Sequence, residues 1–201
     1  MTHEDYERAA NHWKIKDASD EKMDRDTLLK EIEQYIKSNN TCALATGSGE
    51  FVRVTPIEYT YHDGAFWMFS EGGEKFKALE KNKNVCLAIY DKYEGFGKLK
   101  GMQVTGTAEV VDYFSEEYIA AAVYKKIPIE ALRKLPEPMN LIKVAPSKIE
   151  FLNSVFGIES VLLNGKTVSK KFLLVLSILA FESDNSIRFL YQHFLAGITE
   201  E

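Results

Sequence analysis

Two cysteines and no CxxC pair are all the thiol chemistry in this chain of 201 residues. Cys42 and Cys86 sit in CALA and VCLAIY, both apolar and strand-like, so buried structural thiols are expected rather than a metal or redox pair. Basic residues are not in excess: 25 Lys+Arg face 30 Asp+Glu, a formal charge of −5. That balance argues against a nucleic-acid or anionic-membrane partner. The start, MTHEDYERAANHWK, lacks the apolar stretch of a signal peptide. The longest aliphatic run, FLLVLSILAF (172–181), is too short for a spanning helix. A cytoplasmic protein is the expectation. Neither GxGxxG nor GxxxxGK[ST] occurs, which leaves dinucleotide and P-loop sites unsupported. Internal repeats and low-complexity segments are also missing.

What is present fits an ordinary globular chain, 45% hydrophobic and 12% aromatic, long enough for one core or for one domain with an extension. Residues 1–23 are charged and irregular and read as an arm that needs a partner surface to become ordered. In DRDTLLKEIEQYIKS (24–38), Leu28, Ile32 and Ile36 recur at helical spacing, with Asp24 or Asp26 as N-cap. TCALATG (41–47) reads as a buried strand. FVRVTPIEYTY, the turn HDG and AFWMFS together read as a hairpin. SEGGEKFKALEKN (70–82) is a glycine-bearing turn that opens a helix. VCLAIYD (85–91), MQVTGTAEVVD (102–112) and LIKVAPSKIEFLN (141–153) are strands. SEEYIAAAVYKK (115–126) is a helix capped by Ser115, and the prolines of 127–138 break the chain. This order favours a small antiparallel barrel with helices outside it.

One position asks for an explanation. In EFVRVTPIEY (50–59), Val52, Val54 and Pro56 fall on one side of a strand, and Phe51, Arg53, Thr55 and Ile57 on the other. Downstream, the small residues of SEGGEK can present backbone N–H groups, and Lys75 lies in the first turn of the helix. Free donors, a helix start and a cation make a generic anion site. Across the hairpin, Arg53 could reach the same spot, so a phosphate held by Arg53, Ser70 and Lys75 is physically sensible. A solvated turn is the plain alternative.

CALAT, VRVTPIEY, FWMFSEGGEKFKALEKNKNVCLAIY and VTGTAEVV together resemble the pyridoxamine 5′-phosphate oxidase-like, FMN-binding split-barrel family, over roughly residues 25–153. The resemblance implies a mainly β fold with flanking helices, a six-stranded antiparallel split β-barrel. It divides the chain into an arm (1–23), an FMN-binding domain (24–153) and an extension of unassigned role (154–201). It also implies a homodimer with flavin at the interface. Arg53 and Lys75 match the family's phosphate-binding pair. Val54, Thr55 and Pro56 correspond to the strand that edges the flavin ring. Phe69 and Ser70 match the segment at the phosphate or ribityl chain, and Gln103 could stand in for a glutamine that crosses the dimer.

The departures bear on activity. Glu58 replaces a lysine on the first strand, Gly73 and Glu74 replace a serine-arginine pair before Lys75, and Arg188 and His193 do not reproduce the segment that holds the B6 substrate. The pattern lies nearer the nitroimidazole-resistance and flavin-reductase-like branch than true pyridoxamine phosphate oxidase. The expectation is an FMN-dependent oxidoreductase acting on a small electrophile or a reduced nicotinamide, with no catalytic side chain and no metal assigned. A flavin carrier or sensor without turnover is the alternative, and a small barrel that binds oligonucleotides is disfavoured by the charge. His62 reads as a solvated turn residue, and His12 and Trp13 as a packed arm or as cover for a neighbouring subunit's flavin.

Overall fold

A computed structural model describes residues 1–17 and 22–163, without the side chains of residues 13–17. The readings made on Trp13, on the run 172–181 and on Arg188 and His193 lie outside that description. Eight strands form one antiparallel sheet: β1 (Thr41–Ser48), β2 (Phe51–Glu58), β3 (Thr60–His62), β4 (Ala65–Ser70), β5 (Asn84–Tyr90), β6 (Lys100–Val111), β7 (Asn140–Asn153) and β8 (Gly157–Leu162). The strand order is β2-β1-β5-β6-β7-β4-β3, with β8 also on β7. One edge of β7 is taken by β6, so its other edge is shared. Residues 140–144 pair with β4 and residues 148–153 with β8. One long strand is thus divided between two partners, and the described sheet has eight strands where six were expected.

Alternation along the strands builds two apolar clusters. Leu44, Leu87, Val104, Phe66, Met68 and Phe151 join Ile32 and Ile36 of α2 (Arg25–Ser38) in the larger one. Asp24 caps α2 by accepting from the Thr27 N–H at 3.0 Å, and the helical spacing of Leu28, Ile32 and Ile36 turns one face inward. The smaller cluster sets Trp67 and Leu141 beneath Tyr118, Ala121 and Ala122 of α4 (Glu116–Tyr124) and Leu132 of α5 (Ile129–Arg133). Among the described residues, no helix is long and apolar enough to cross a membrane.

Three sequence expectations need correction. The N-terminal segment is a helix, α1 (His3–Asp17), where irregular chain was expected. Thr2 and Asp5 bond reciprocally, N–H to carboxylate at 2.8 Å and N–H to hydroxyl at 3.2 Å, a T-x-x-D variant of the capping box. The single hairpin expected over 51–70 is broken at Tyr59. That residue is buried, donates its N–H to Asn40 at 2.7 Å and its hydroxyl to the Ile36 carbonyl at 2.7 Å. Pinned there, β2 runs back along β1, and of the expected hairpin's first arm only β3 pairs with β4. Strand 141–153 was expected to close the barrel, but the chain turns and returns along it as β8, whose Val161 enters the larger cluster.

Gly106 marks a register shift where β6 crosses β7. A Cβ there would stand 2.5 Å from the Ala145 carbonyl oxygen, so only glycine fits the approach.

Candidate functional site: the turn after strand β4

The turn Ser70-Glu71-Gly72-Gly73-Glu74 leads from β4 into α3 (Lys75–Lys81). Gly73 sits at φ 112°, in the region that favours glycine. The Ser70 hydroxyl donates to the Gly72 carbonyl at 3.2 Å and accepts from the Gly72 N–H at 3.3 Å. Asn140 holds the turn from β7, donating to the carbonyls of Ser70 at 3.2 Å and Glu71 at 3.3 Å. Its own side-chain oxygen accepts from the Tyr113 hydroxyl at 2.7 Å.

Lys75 is the unusual member. It is only 4% exposed, and its ammonium donates to the Gly72 carbonyl. Among the described residues it forms no ion pair. Burial pushes its pKa below the ordinary value, because removing water disfavours the charged form. A Cβ on Gly73 would stand 3.4 Å from the ammonium nitrogen, so the absence of that carbon leaves room beside the charge.

Arg53 reaches this turn by a different route from the one expected. Its strand, β2, pairs with β1 and not with β4. Helix α3 packs back over β1 and β2, and Asn82 fastens the end of the helix by donating to the Gly47 carbonyl at 2.8 Å. This brings Glu74 beside Arg53, with 3.3 Å between carboxylate and guanidinium. The second Glu74 oxygen lies 3.2 Å from the Lys77 ammonium. Thr46 is the cross-strand partner of Arg53 and shares its face of the sheet. Thr46 is buried, and its hydroxyl has no hydrogen-bond partner among the described residues.

Arg53, Ser70 and Lys75 are thus gathered at one turn, with Thr55 farther along the same face of β2. Val54 and Pro56 point to the opposite face, across from Ala45 and Ala43. Gln103 stands on that face too, in the row Pro56–Ala43–Ala88–Gln103. Three strand spacings put it roughly 14 Å from Pro56. Phe69 turns into the smaller cluster, edge-on to Tyr118 at 5.5 Å.

Thr46, Glu74 and Asn140 were missed in the sequence. Thr46 was legible as the polar residue in the inward series Cys42, Leu44, Thr46. Glu74 stood in plain view before Lys75. Asn140 gives no signal, because only the register of β7 against β4 puts it there. His62 is no simple solvated turn residue: its ring stacks on Tyr124 at 3.8 Å and 15°, and its Nε2 lies 3.2 Å from the Asp63 carboxylate. Glu58 pairs with Lys125 at 2.7 Å. Both cysteines are free thiols, and burial pushes Cys42 up to about 12.

No curated protein matches the chain. Among solved structures, it is similar to ChuZ of Campylobacter jejuni (TM-score 0.57, 17% identity), covering 73% of this chain and 63% of that one. It is similar to a Clostridium acetobutylicum protein related to general stress protein 26 of B. subtilis, of the pyridoxinephosphate oxidase family. That likeness has a TM-score of 0.53 and 16% identity, and covers 71% and 98% of the two chains. HutZ, the heme storage protein of Vibrio cholerae, gives 0.50 and 17%, covering 58% and 88%. At such identities the likeness is one of fold: an antiparallel split barrel with flanking helices. The model of the family described as Pyridoxamine 5'-phosphate oxidase matches residues 28–153, well over half of the chain, and the chain belongs to that family.

Proposed function

We propose that the protein is a cytoplasmic, FMN-binding oxidoreductase that works as a homodimer, with the flavin phosphate held by Arg53, Ser70 and Lys75. The observation that carries this reading is the buried Lys75 ammonium, which has a carbonyl and the Phe76 ring for company and, among the described residues, no anion. A buried cation without a counter-charge is costly, and a phosphate at this turn would supply one. Arg53 adds a second cation, and the unpartnered Thr46 hydroxyl opposite it is a polar group with unused bonding capacity. Among the described residues, strand β2 lies at the end of the strand order and pairs with β1 alone. Its outer backbone edge therefore has N–H and C=O groups free for the polar rim of a flavin ring. Bound FMN would supply the electron transfer, and the chain would supply anchoring, orientation and access.

The dimer reading rests on the outer face of the sheet. Val52 and Val54 are exposed there beside the small side chains Ala43, Ala45 and Ala88. Such a smooth apolar surface suits a second copy related by a two-fold axis.

Vitamin B6 phosphates are not the expected substrates. Tyr118 is buried, with its hydroxyl given to the Met139 carbonyl at 2.8 Å. Tyr124 is stacked on His62, and Glu116 opens α4 with negative charge while Glu117 is paired with Lys143. A reduced nicotinamide is the expected donor.

Absorption spectra of the purified protein with added FMN, riboflavin or heme, followed by NADH and NADPH, test the proposal. Flavin bands perturbed by binding and bleached by the nicotinamide support it. Binding without bleaching leaves a carrier or sensor. Heme uptake without flavin binding overturns it.

A further inference from the structure

Glu74 occupies the approach to the guanidinium that the proposed site needs. Its carboxylate lies 3.3 Å from Arg53 and 3.2 Å from Lys77. We infer that Glu74 is the specificity-determining residue of this turn: an internal carboxylate that competes with phosphate for Arg53 and weakens the preference for phosphorylated flavin over riboflavin. The inference rests on the phosphate site proposed above.

The Arg53–Glu74 pair is about half exposed on both sides, and such pairs contribute little to stability. Breaking it is therefore easy, but removing the carboxylate from the neighbourhood is not. Glu74 directly precedes Lys75, and its carbonyl accepts the Lys77 N–H at 3.0 Å, so its backbone is fixed at the mouth of the turn. An arriving phosphate carries a charge close to −2 near neutrality. It must share Arg53 with a carboxylate that can swing aside by no more than its own length. The Glu74 side chain makes no capping hydrogen bond to α3, so what glutamine forfeits is the two exposed ion pairs, with Arg53 and Lys77, which contribute little to stability. Its consequence falls on charge alone: an anionic ligand is bound less tightly, and exchanges faster, than two cations would otherwise allow.

The experiment is a fluorescence titration of the full chain and its Glu74→Gln variant with FMN and with riboflavin, repeated with Arg53→Ala in each background. In Glu74→Gln the ratio of the riboflavin Kd to the FMN Kd is expected to rise about tenfold, the scale of a dianion repelled by one charge at about 6 Å in a water-like dielectric. The riboflavin Kd and the thermal midpoint should stay at the parent values, and added salt should shrink the gain. An unchanged ratio, with FMN binding still dependent on Arg53, overturns the role of Glu74 and leaves the phosphate site standing. FMN binding that is absent, or indifferent to Arg53→Ala in both backgrounds, overturns the site and this inference with it.

Discussion

Ser70 and Lys75 donate to the same acceptor, the carbonyl oxygen of Gly72. One oxygen therefore ties the end of β4 to the start of α3 and draws a buried ammonium to the inside of the turn. A carbonyl dipole only partly offsets the loss of water around a full charge. The turn is thus held in shape by hydrogen bonds while, among the described residues, its buried ammonium has no counter-charge.

That shortfall has a pH signature. Burial holds Lys75 below its ordinary 10.5, so between its folded value and 10.5 the unfolded chain binds more protons. Stability from this group must then rise with pH through that window. Cys42, raised from 9.0, and Tyr35 and Tyr59, raised from 10.0, act in the opposite sense as pH climbs past those values. The difference between parent and Lys75→Met isolates the lysine. Urea unfolding should show the parent gaining on the variant toward pH 10.5, and the gain should vanish with saturating FMN. A flat difference would mean that Lys75 titrates as an exposed lysine.

Thr46→Val removes a buried hydroxyl that has no partner. The apoprotein should become more stable by about 1 kcal/mol, because an unsatisfied polar group carries a desolvation penalty without a bond to offset it. Urea unfolding at neutral pH measures this. A loss of similar size would show that the hydroxyl is bonded in solution.

Periodicity made α2, β1, β5, β6, α4 and β7 legible, because each buries one face and its alternation is strong. Their order pointed to a small antiparallel barrel with helices outside, and the family came from the resemblance of the motifs CALAT, VRVTPIEY, FWMFSEGGEKFKALEKNKNVCLAIY and VTGTAEVV. The path of the chain between them was not legible. Nothing in EYTYH says that Tyr59 will lock a corner on Asn40 and Ile36, so a corner was read as a continuous hairpin. The same holds at the site. Arg53, Ser70 and Lys75 stood out as residue types suited to a phosphate. Their meeting depends on α3 folding back over β2, a tertiary fact that also brings Glu74 to Arg53. Thr46 was legible as an inward polar residue, but its place opposite Arg53 is a matter of register.

Gly106→Ala should destabilise the barrel by about 1–3 kcal/mol, the usual cost of forcing extra volume into a packed site. Its Cβ would meet the Ala145 carbonyl oxygen at 2.5 Å and a Val144 methyl at 3.1 Å. Gly101→Ala meets its nearest atom at 3.4 Å and serves as the mild control. Thermal unfolding separates the two. Equal midpoints would argue that β6 and β7 can part at the bulge.

A charge in the middle of the outer face should prevent self-association. Ala45 lies between Val54 and Cys86 on that face, and a carboxylate buried there by a second copy would lack a partner. Sedimentation should give a dimer for the parent and a monomer for Ala45→Glu. A monomeric parent with flavin fully bound would contradict the dimer.

The central claim is that this turn holds a phosphate, and the most direct measurement compares FMN with riboflavin on Arg53→Ala and Lys75→Ala. Each substitution should weaken FMN binding by about 1.5–3 kcal/mol, the scale of a charge-assisted hydrogen bond, and leave riboflavin binding near the parent value. FMN bound by both variants as tightly as by the parent would contradict the account.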